Sequence, residues 1–150
     1  MADINEMSMG RAPWSREFGR NGVGPGWRHL VDRVFDVAEQ RAVSVDQVKE
    51  KVGGLRIYVG RHSHAGNREH PDVRAVCAVV AAVARESITV CEACGEPGRR
   101  WGGTVEENER LARESGGRGV WIKTLCDRHA HPYYFEGRRD FFELWRDKLP

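Results

Sequence analysis

Two short pairs of soft metal ligands constrain this chain more than any other feature: Cys91-Glu-Ala-Cys94 and Cys126-Asp-Arg-His129. A two-residue gap lets both sulfurs of the first pair reach one ion at about 2.3 Å. Gly95, directly after Cys94, permits the tight turn of such a knuckle. The second pair repeats the gap. Thirty-one residues separate the pairs, most of them in a polar insert from Gly102 to Gly119. Three thiolates and one imidazole suit zinc, and four protein ligands fill its tetrahedral shell. A catalytic zinc keeps one position for water. The expectation is therefore one structural Zn2+, on Cys91, Cys94, Cys126 and His129. His131 lies two residues further on and competes for the fourth place, but the spacing favours His129. A redox role for Cys91 and Cys94 gives Cys126 and His129 no part, and no thioredoxin-like βαβ pattern surrounds the pair.

The rest of the chain reads as an α+β domain. Residues 1–25 are rich in Gly, Arg and polar side chains without a sustained period, and read as an irregular arm anchored by Trp14 and Phe18. Gly24-Pro25-Gly26 is a break. Residues 26–150 read as a single domain, with the zinc module at about 88–131. Trp27, Leu30, Val31, Val34, Val37 and Ala38 recur at helical steps as far as about Gln40, with Phe35 widening the stripe. Val43 and Val45 then alternate with polar residues, and Val48 and Val52 continue on the other parity. Leu55, Ile57 and Val59 alternate cleanly after Gly53-Gly54. A Gly-Gly pair between alternating runs predicts an antiparallel hairpin, read as the centre of a small sheet. Pro71 and Asp72 open a second helix to about Glu86, with Cys77 expected as a buried thiol on its apolar stripe. A short helix around Glu106 to Arg113, a strand from Val120 to Leu125 and a closing helix through Phe141, Leu144, Trp145 and Leu149 complete the order. A strand delivering Cys126 into helix-compatible residues is what a treble-clef or zinc-ribbon module needs.

Composition narrows the function classes. The formal net charge is +2, too small to argue for nucleic acid by itself. Twenty of the 24 basic residues are Arg, a bias that a GC-rich coding genome also produces. No apolar run reaches the roughly 18 residues of a membrane span. Met1 to Gly10 carries Asp3 and Glu6 and no basic-then-apolar pattern, so it does not read as a signal peptide. The expected compartment is a bacterial cytoplasm, where thiols stay reduced and a Cys-x-x-Cys pair reads as metal or redox.

Three blocks in this order carry a resemblance: Val48-Lys-Glu-Lys-Val-Gly-Gly-Leu-Arg-Ile-Tyr58, Cys91-x-x-Cys94-Gly-Glu-Pro-Gly98, and Trp121-Ile-Lys-Thr-Leu-Cys126-Asp-Arg-His129. Over residues 24 to 131 the chain resembles small uncharacterised bacteriophage and prophage proteins that pair a KEKFGGLR-type hairpin with zinc knuckles. It departs at Val52, where that group has an aromatic, and at His129, where Cys is more usual. The resemblance implies a phage-type source, hence a bacterial host's cytoplasm, and no biochemical activity.

Two function classes follow. The first is a zinc-stabilised binding or regulatory protein acting on nucleic acid or a host protein. Its candidate surface is Lys49, Lys51, Arg56 and Tyr58 on the hairpin, with Arg99, Arg100, Trp101 and Lys123 beside the knuckles. The alternative is a metal-dependent nuclease of the His-Asn-His type, which needs a His general base and further ligands. Only His131, Asp127 and Asn108 offer themselves. His62, His64 and His70 lie in a polar loop without regular ligand spacing and read as loop histidines rather than a second metal site.

Overall fold

The computed structural model of the chain describes residues 12–116 and 121–137. Within the segment read as irregular, a short helix forms, α1 (Arg16–Arg20), with the Ser15 hydroxyl accepting the Phe18 N–H at 3.2 Å. Five residues are too few to show a period, which is why the sequence hides it. Its Gly19 is buried, and a Cβ there would stand 2.6 Å from the Phe35 ring. The Arg16 guanidinium bridges Asp36 at 2.7 Å and Glu39 at 2.9 Å. Val23 is 1% exposed and belongs to the larger apolar cluster, with Trp14 packed against it.

A 3₁₀ turn (Pro25–Trp27) leads into α2 (Arg28–Gln40), which buries Leu30, Val31, Val34, Phe35 and Ala38, the face its periodicity predicts. The hairpin follows as β1 (Val45–Lys51) and β2 (Gly54–Val59), antiparallel, with Lys49 opposite Arg56 and Lys51 opposite Gly54. The turn is therefore Val52-Gly53, not Gly53-Gly54. Both residues have positive φ, +55° and +74°, the backbone of a type I′ turn. Among the described residues the hairpin is a two-stranded sheet by itself, not the centre of a larger one. The change of parity between Val45 and Val48 has a physical cause. The register shifts between Val45 and Gln47, so Asp46 is an extra residue and both valines face the core.

Helix α3 (Pro71–Ser87) has Pro at its first turn and the His70 ring accepting the Asp72 N–H at 3.1 Å. It buries Val73, Val76, Val83 and Ser87. Cys77 is exposed, contrary to the expected buried thiol. The contact line runs through 73, 76, 80, 83 and 87, and position 77 falls at its outer margin.

The C-terminal half comprises β3 (Arg99–Trp101), α4 (Val105–Glu114), β4 (Lys123–Leu125) and α5 (Asp127–Phe135). β3 and β4 pair antiparallel. The observed β4 is shorter than the predicted strand, whose first residue lies outside the described residues. The predicted closing helix over Phe141 to Leu149 also lies outside them. The architecture is α+β, with two apolar clusters. The larger gathers Val23, Trp27, Leu30, Val34, Leu55 and Val76 among others. The smaller centres on Leu111, Leu125, Ala130, Tyr133 and Tyr134 beside Cys91. No helix among the described residues is long and apolar enough to cross a membrane.

Candidate metal centre

Backbone hydrogen bonds build the first knuckle before any metal is considered. The Cys91 N–H donates to the Glu96 carbonyl at 2.8 Å, and the Gly95 N–H returns to the Cys91 carbonyl at 2.8 Å. Gly95 has φ +82°, which L side chains rarely adopt. The 3₁₀ turn presses against this knuckle so closely that a Cβ on Gly26 would lie 2.1 Å from the Cys91 carbonyl oxygen. The second pair uses a helix start. Cys126 caps α5 in an extended conformation, and the His129 N–H donates to the Cys126 carbonyl at 3.1 Å. One turn of helix thus delivers the imidazole beside the thiol.

The four side chains converge, with their ligand atoms all within 4.8 Å of one another. Cys94 Sγ lies 3.8 Å from Cys126 Sγ, far beyond the roughly 2.05 Å of a disulfide. His129 Nδ1 stands 3.3 Å from Cys126 Sγ and 3.7 Å from Cys91 Sγ. A tetrahedron with bonds of about 2.3 Å to sulfur and 2.05 Å to nitrogen has edges of about 3.8 Å and 3.6 Å. The arrangement fits one ion on four ligands. Cys91 is fully buried, and burial pushes its thiol up to about 12 against the N–H groups of Cys126, Cys94 and Ala93. At Cys94 burial also pushes upward. There the Glu96 N–H, the neighbouring thiols and Arg128 outweigh it and bring the thiol below its ordinary value. Burial and then the Arg128 charge lower the His129 imidazole, favouring the neutral form that ligates metals.

His131 is not in this cluster. Its side chain is 66% exposed, and Nδ1 lies 3.4 Å from a Glu136 carboxylate oxygen. Asn108 donates to the Gly102 carbonyl at 3.3 Å. Neither residue belongs to the group of four ligand atoms.

The other candidate residues separate into three environments. Lys49, Lys51, Arg56 and Tyr58 share the outer face of the hairpin, and the Lys49 ammonium sits 5.1 Å from the Tyr58 ring centroid. Arg99 stacks over Trp101 at 3.6 Å and pairs with Glu107 at 2.7 Å, while the Trp101 indole donates to the Leu125 carbonyl at 3.0 Å. Trp101 is a packing residue of the small core, and Arg100 beside it is exposed. Lys123 is not a surface contact at all. Its side chain is 14% exposed and reaches Glu50 at 3.0 Å and Glu92 at 3.5 Å. Strand alternation with only three residues gave too little signal to tell its inward from its outward side.

Glu92 is the residue that sequence reasoning missed. It occupies an ordinary middle position of the Cys-x-x-Cys pair, yet it is 1% exposed. Burial pushes its carboxyl up to about 6 against the opposing Lys123 charge. Only the fold reveals this, because the groups it meets are 68 and 31 positions away. The loop histidines also divide. His62 pairs with Asp46 at 2.9 Å. His64 and His70 stack at 3.9 Å beside Asp72. There His70 Nδ1 accepts the Asp72 N–H, His64 Nε2 donates to the Arg41 carbonyl, and the Arg41 fork holds Asp72 at 2.9 Å. These contacts tie the loop to the end of α2 and the start of α3, and the ligand atoms of His64, His70 and Asp72 lie within 4.8 Å of one another, a second group that could hold a metal ion where the spacing in sequence gives no sign of one.

Comparison of the chain with protein-family models, with curated proteins and with solved structures finds no match.

Proposed function

We propose that this chain is a zinc-stabilised binding protein whose working face is the outer face of the hairpin, directed at an anionic macromolecule. The observation that carries the reading is a sorting of charge by register. The outward positions of the hairpin are Gln47, Lys49, Lys51, Gly54, Arg56 and Tyr58, and none is acidic. The two carboxylates of the same strand are turned away: Glu50 to Lys123 and the Gly53 N–H, Asp46 to His62 and the Arg61 N–H. A chain of nearly balanced net charge thereby presents a basic strip with an aromatic ring on it.

Zinc is the ion that the donor set and edge lengths suit best. With four ligands its shell is full, so it acts as a scaffold. Knuckle, short hairpin and a helix whose first turn carries the second ligand pair are the parts of a treble clef. The phage-type resemblance agrees with a small host-directed binder and supplies no activity. The partner is nucleic acid or an acidic face of a host protein, acting in the cytoplasm of a bacterial host.

Fluorescence anisotropy with a labelled single-stranded oligonucleotide, titrated at several salt concentrations, tests the nucleic-acid branch. Three phosphate contacts give a log–log slope of about −2. Lys49→Glu with Lys51→Glu and Arg56→Glu abolishes that binding while leaving the metal content at one ion per chain. Binding that ignores both salt and these three charges overturns the assignment of the hairpin face.

A further inference from the structure

The loop after β2 meets the start of α3 with two imidazoles and a carboxylate, and the ligand atoms of His64, His70 and Asp72 all lie within 4.8 Å of one another. We propose that these three residues form a second metal site, for a divalent ion of the zinc, cobalt and nickel class, taken up from solution rather than held permanently. The proposal is independent of the hairpin reading above and of the knuckle ion.

His64 and Ala65 hold φ at +49° and +52°, a left-handed backbone that L residues adopt at a cost, and the His64 ring stacks on the His70 ring at 3.9 Å. Asp72 divides its two oxygens. Oδ1 accepts the Arg41 guanidinium at 2.9 Å, the kind of orienting contact that ligating carboxylates receive. Oδ2 lies 3.9 Å from His64 Nε2 and 3.8 Å from His70 Nδ1. Nitrogen and oxygen ligands at about 2.05 Å from one ion stand about 3.4 Å apart in a tetrahedron, so each separation closes by about half an ångström. Ligation exchanges two hydrogen bonds. His70 Nδ1 leaves the Asp72 N–H, and His64 Nε2 leaves the Arg41 carbonyl as its proton moves to Nδ1. Arg41 is exposed and Asp72 half-buried, so water takes over both freed groups and the net loss is small. Two imidazoles select a borderline-soft ion over Ca2+ or Mg2+, which prefer shells of oxygen. Three protein ligands leave a position for water, their side chains are 20%, 36% and 34% exposed, and the Arg41 charge stands beside them. These features make the site weaker than the four-ligand knuckles, and exchangeable.

The full chain, dialysed to one zinc per chain, is titrated with Zn2+ and followed by native mass spectrometry and by the 15N resonances of the histidine rings. A second ion is expected, half-filled at roughly ten micromolar, far weaker than structural four-ligand modules. Its uptake shifts the ring resonances of His64 and His70 and leaves those of His131 and of His62, which pairs with Asp46, in place. His64→Ala, His70→Ala and Asp72→Asn each raise the half-filling concentration by at least about ten-fold, while hydrogen-exchange protection at Val34 and Val76 shows that the fold is intact. Ca2+ or Mg2+ at about 10 mM does not displace the ion. No second ion at about 1 mM Zn2+ overturns the proposal. So does a second ion that persists in the His64→Ala, His70→Ala double variant, which would be an adventitious ion only. So does uptake in the wild-type chain that moves the His62 or His131 ring instead of His64 and His70, a readout that needs no variant to fold. The triple hairpin variant takes up the second ion as the wild type does, which separates a failure here from a failure of the hairpin reading.

Discussion

The two halves of this molecule hold themselves together by different means. Around α2, α3 and the hairpin, a cluster of fifteen buried apolar residues among those described, from Val23 to Val83, includes Trp27. Around β3, β4, α4 and α5 the buried cluster has seven members among the described residues, and one of them is the candidate ligand Cys91. Hydrophobic burial is worth about 25 cal/mol per Å², so the smaller cluster offsets less of the entropy of ordering its chain. The first half resembles an ordinary domain core. The second is a loop-rich module of elements of three, ten, three and nine residues, with the four candidate ligands among them.

Removing the metal is the largest perturbation that this difference predicts. Apparent zinc affinities in small modules correspond to about 10–16 kcal/mol, comparable to the stability of a whole domain. Chelation, or Cys91→Ser, is expected to erase hydrogen-exchange protection at Leu111, Leu125 and Ala130 while Leu30, Val34 and Val76 stay protected. Simultaneous loss of protection in both halves would show that they share one cooperative unit and break the comparison. Retained protection in both would show that the second core needs no ion.

The seam between the halves is polar, and it sharpens the same question. The Glu92 carboxylate reaches the Gly24 N–H at 3.3 Å and Lys123 at 3.5 Å, and Lys123 continues to Glu50 on the hairpin. Thr124 donates from β4 to the Gly53 carbonyl at 2.6 Å, and the Trp27 indole donates to the Val90 carbonyl at 2.8 Å. The knuckle is thus joined to the hairpin turn by hydrogen bonds between largely buried groups. Lys123→Met leaves two carboxylates without their shared cation, and removing one partner of a buried charged network costs about 3–5 kcal/mol. Equilibrium urea unfolding of the metal-loaded protein measures it. Adding Glu92→Gln should return part of the loss, because the deeper of the two stranded charges is gone. A Lys123→Met protein as stable as wild type would mean that the charges of the seam add nothing net, and that its other hydrogen bonds and the apolar contacts join the halves.

How far the sequence announced all this depended on the length of each element. The thirteen residues of α2 and the seventeen of α3 give several turns of period, and their faces were legible. The ligand pairs were legible because their two-residue gap is set by the geometry of one ion. Cys77 was misread because the valine-rich α3 offers apolar residues around most of its circumference, and the stripe's margin cannot be placed to within one residue. Lys123 was misread, and Glu92 missed, for a different reason. A charge in a three-residue strand or a tight knuckle has no neighbours to reveal its side, and its burial is decided by partners far away in the chain. Asp46 was silent too, since a bulge looks in sequence like a change of strand parity.

The smallest effect sits at the hairpin turn, and it separates local strain from the wiring of the seam. Val52 holds φ at +55° although it is β-branched, and it is 50% exposed, so it gains little from packing. A non-glycine residue in this region costs on the order of 1–2 kcal/mol, with Asn among the best tolerated. Type I′ turns favour Asn-Gly at these two positions, and Gly53 already fills the second. Val52→Asn is therefore expected to raise stability by about 1 kcal/mol, read as an increase in the urea midpoint at unchanged slope. The gain should survive intact in the Lys123→Met background, because the backbone conformation at 52 is independent of the buried charges. A gain that vanishes in that background would mean that Gly53, whose carbonyl accepts from Thr124 and whose N–H donates to Glu50, is held in place by the seam rather than by its own turn.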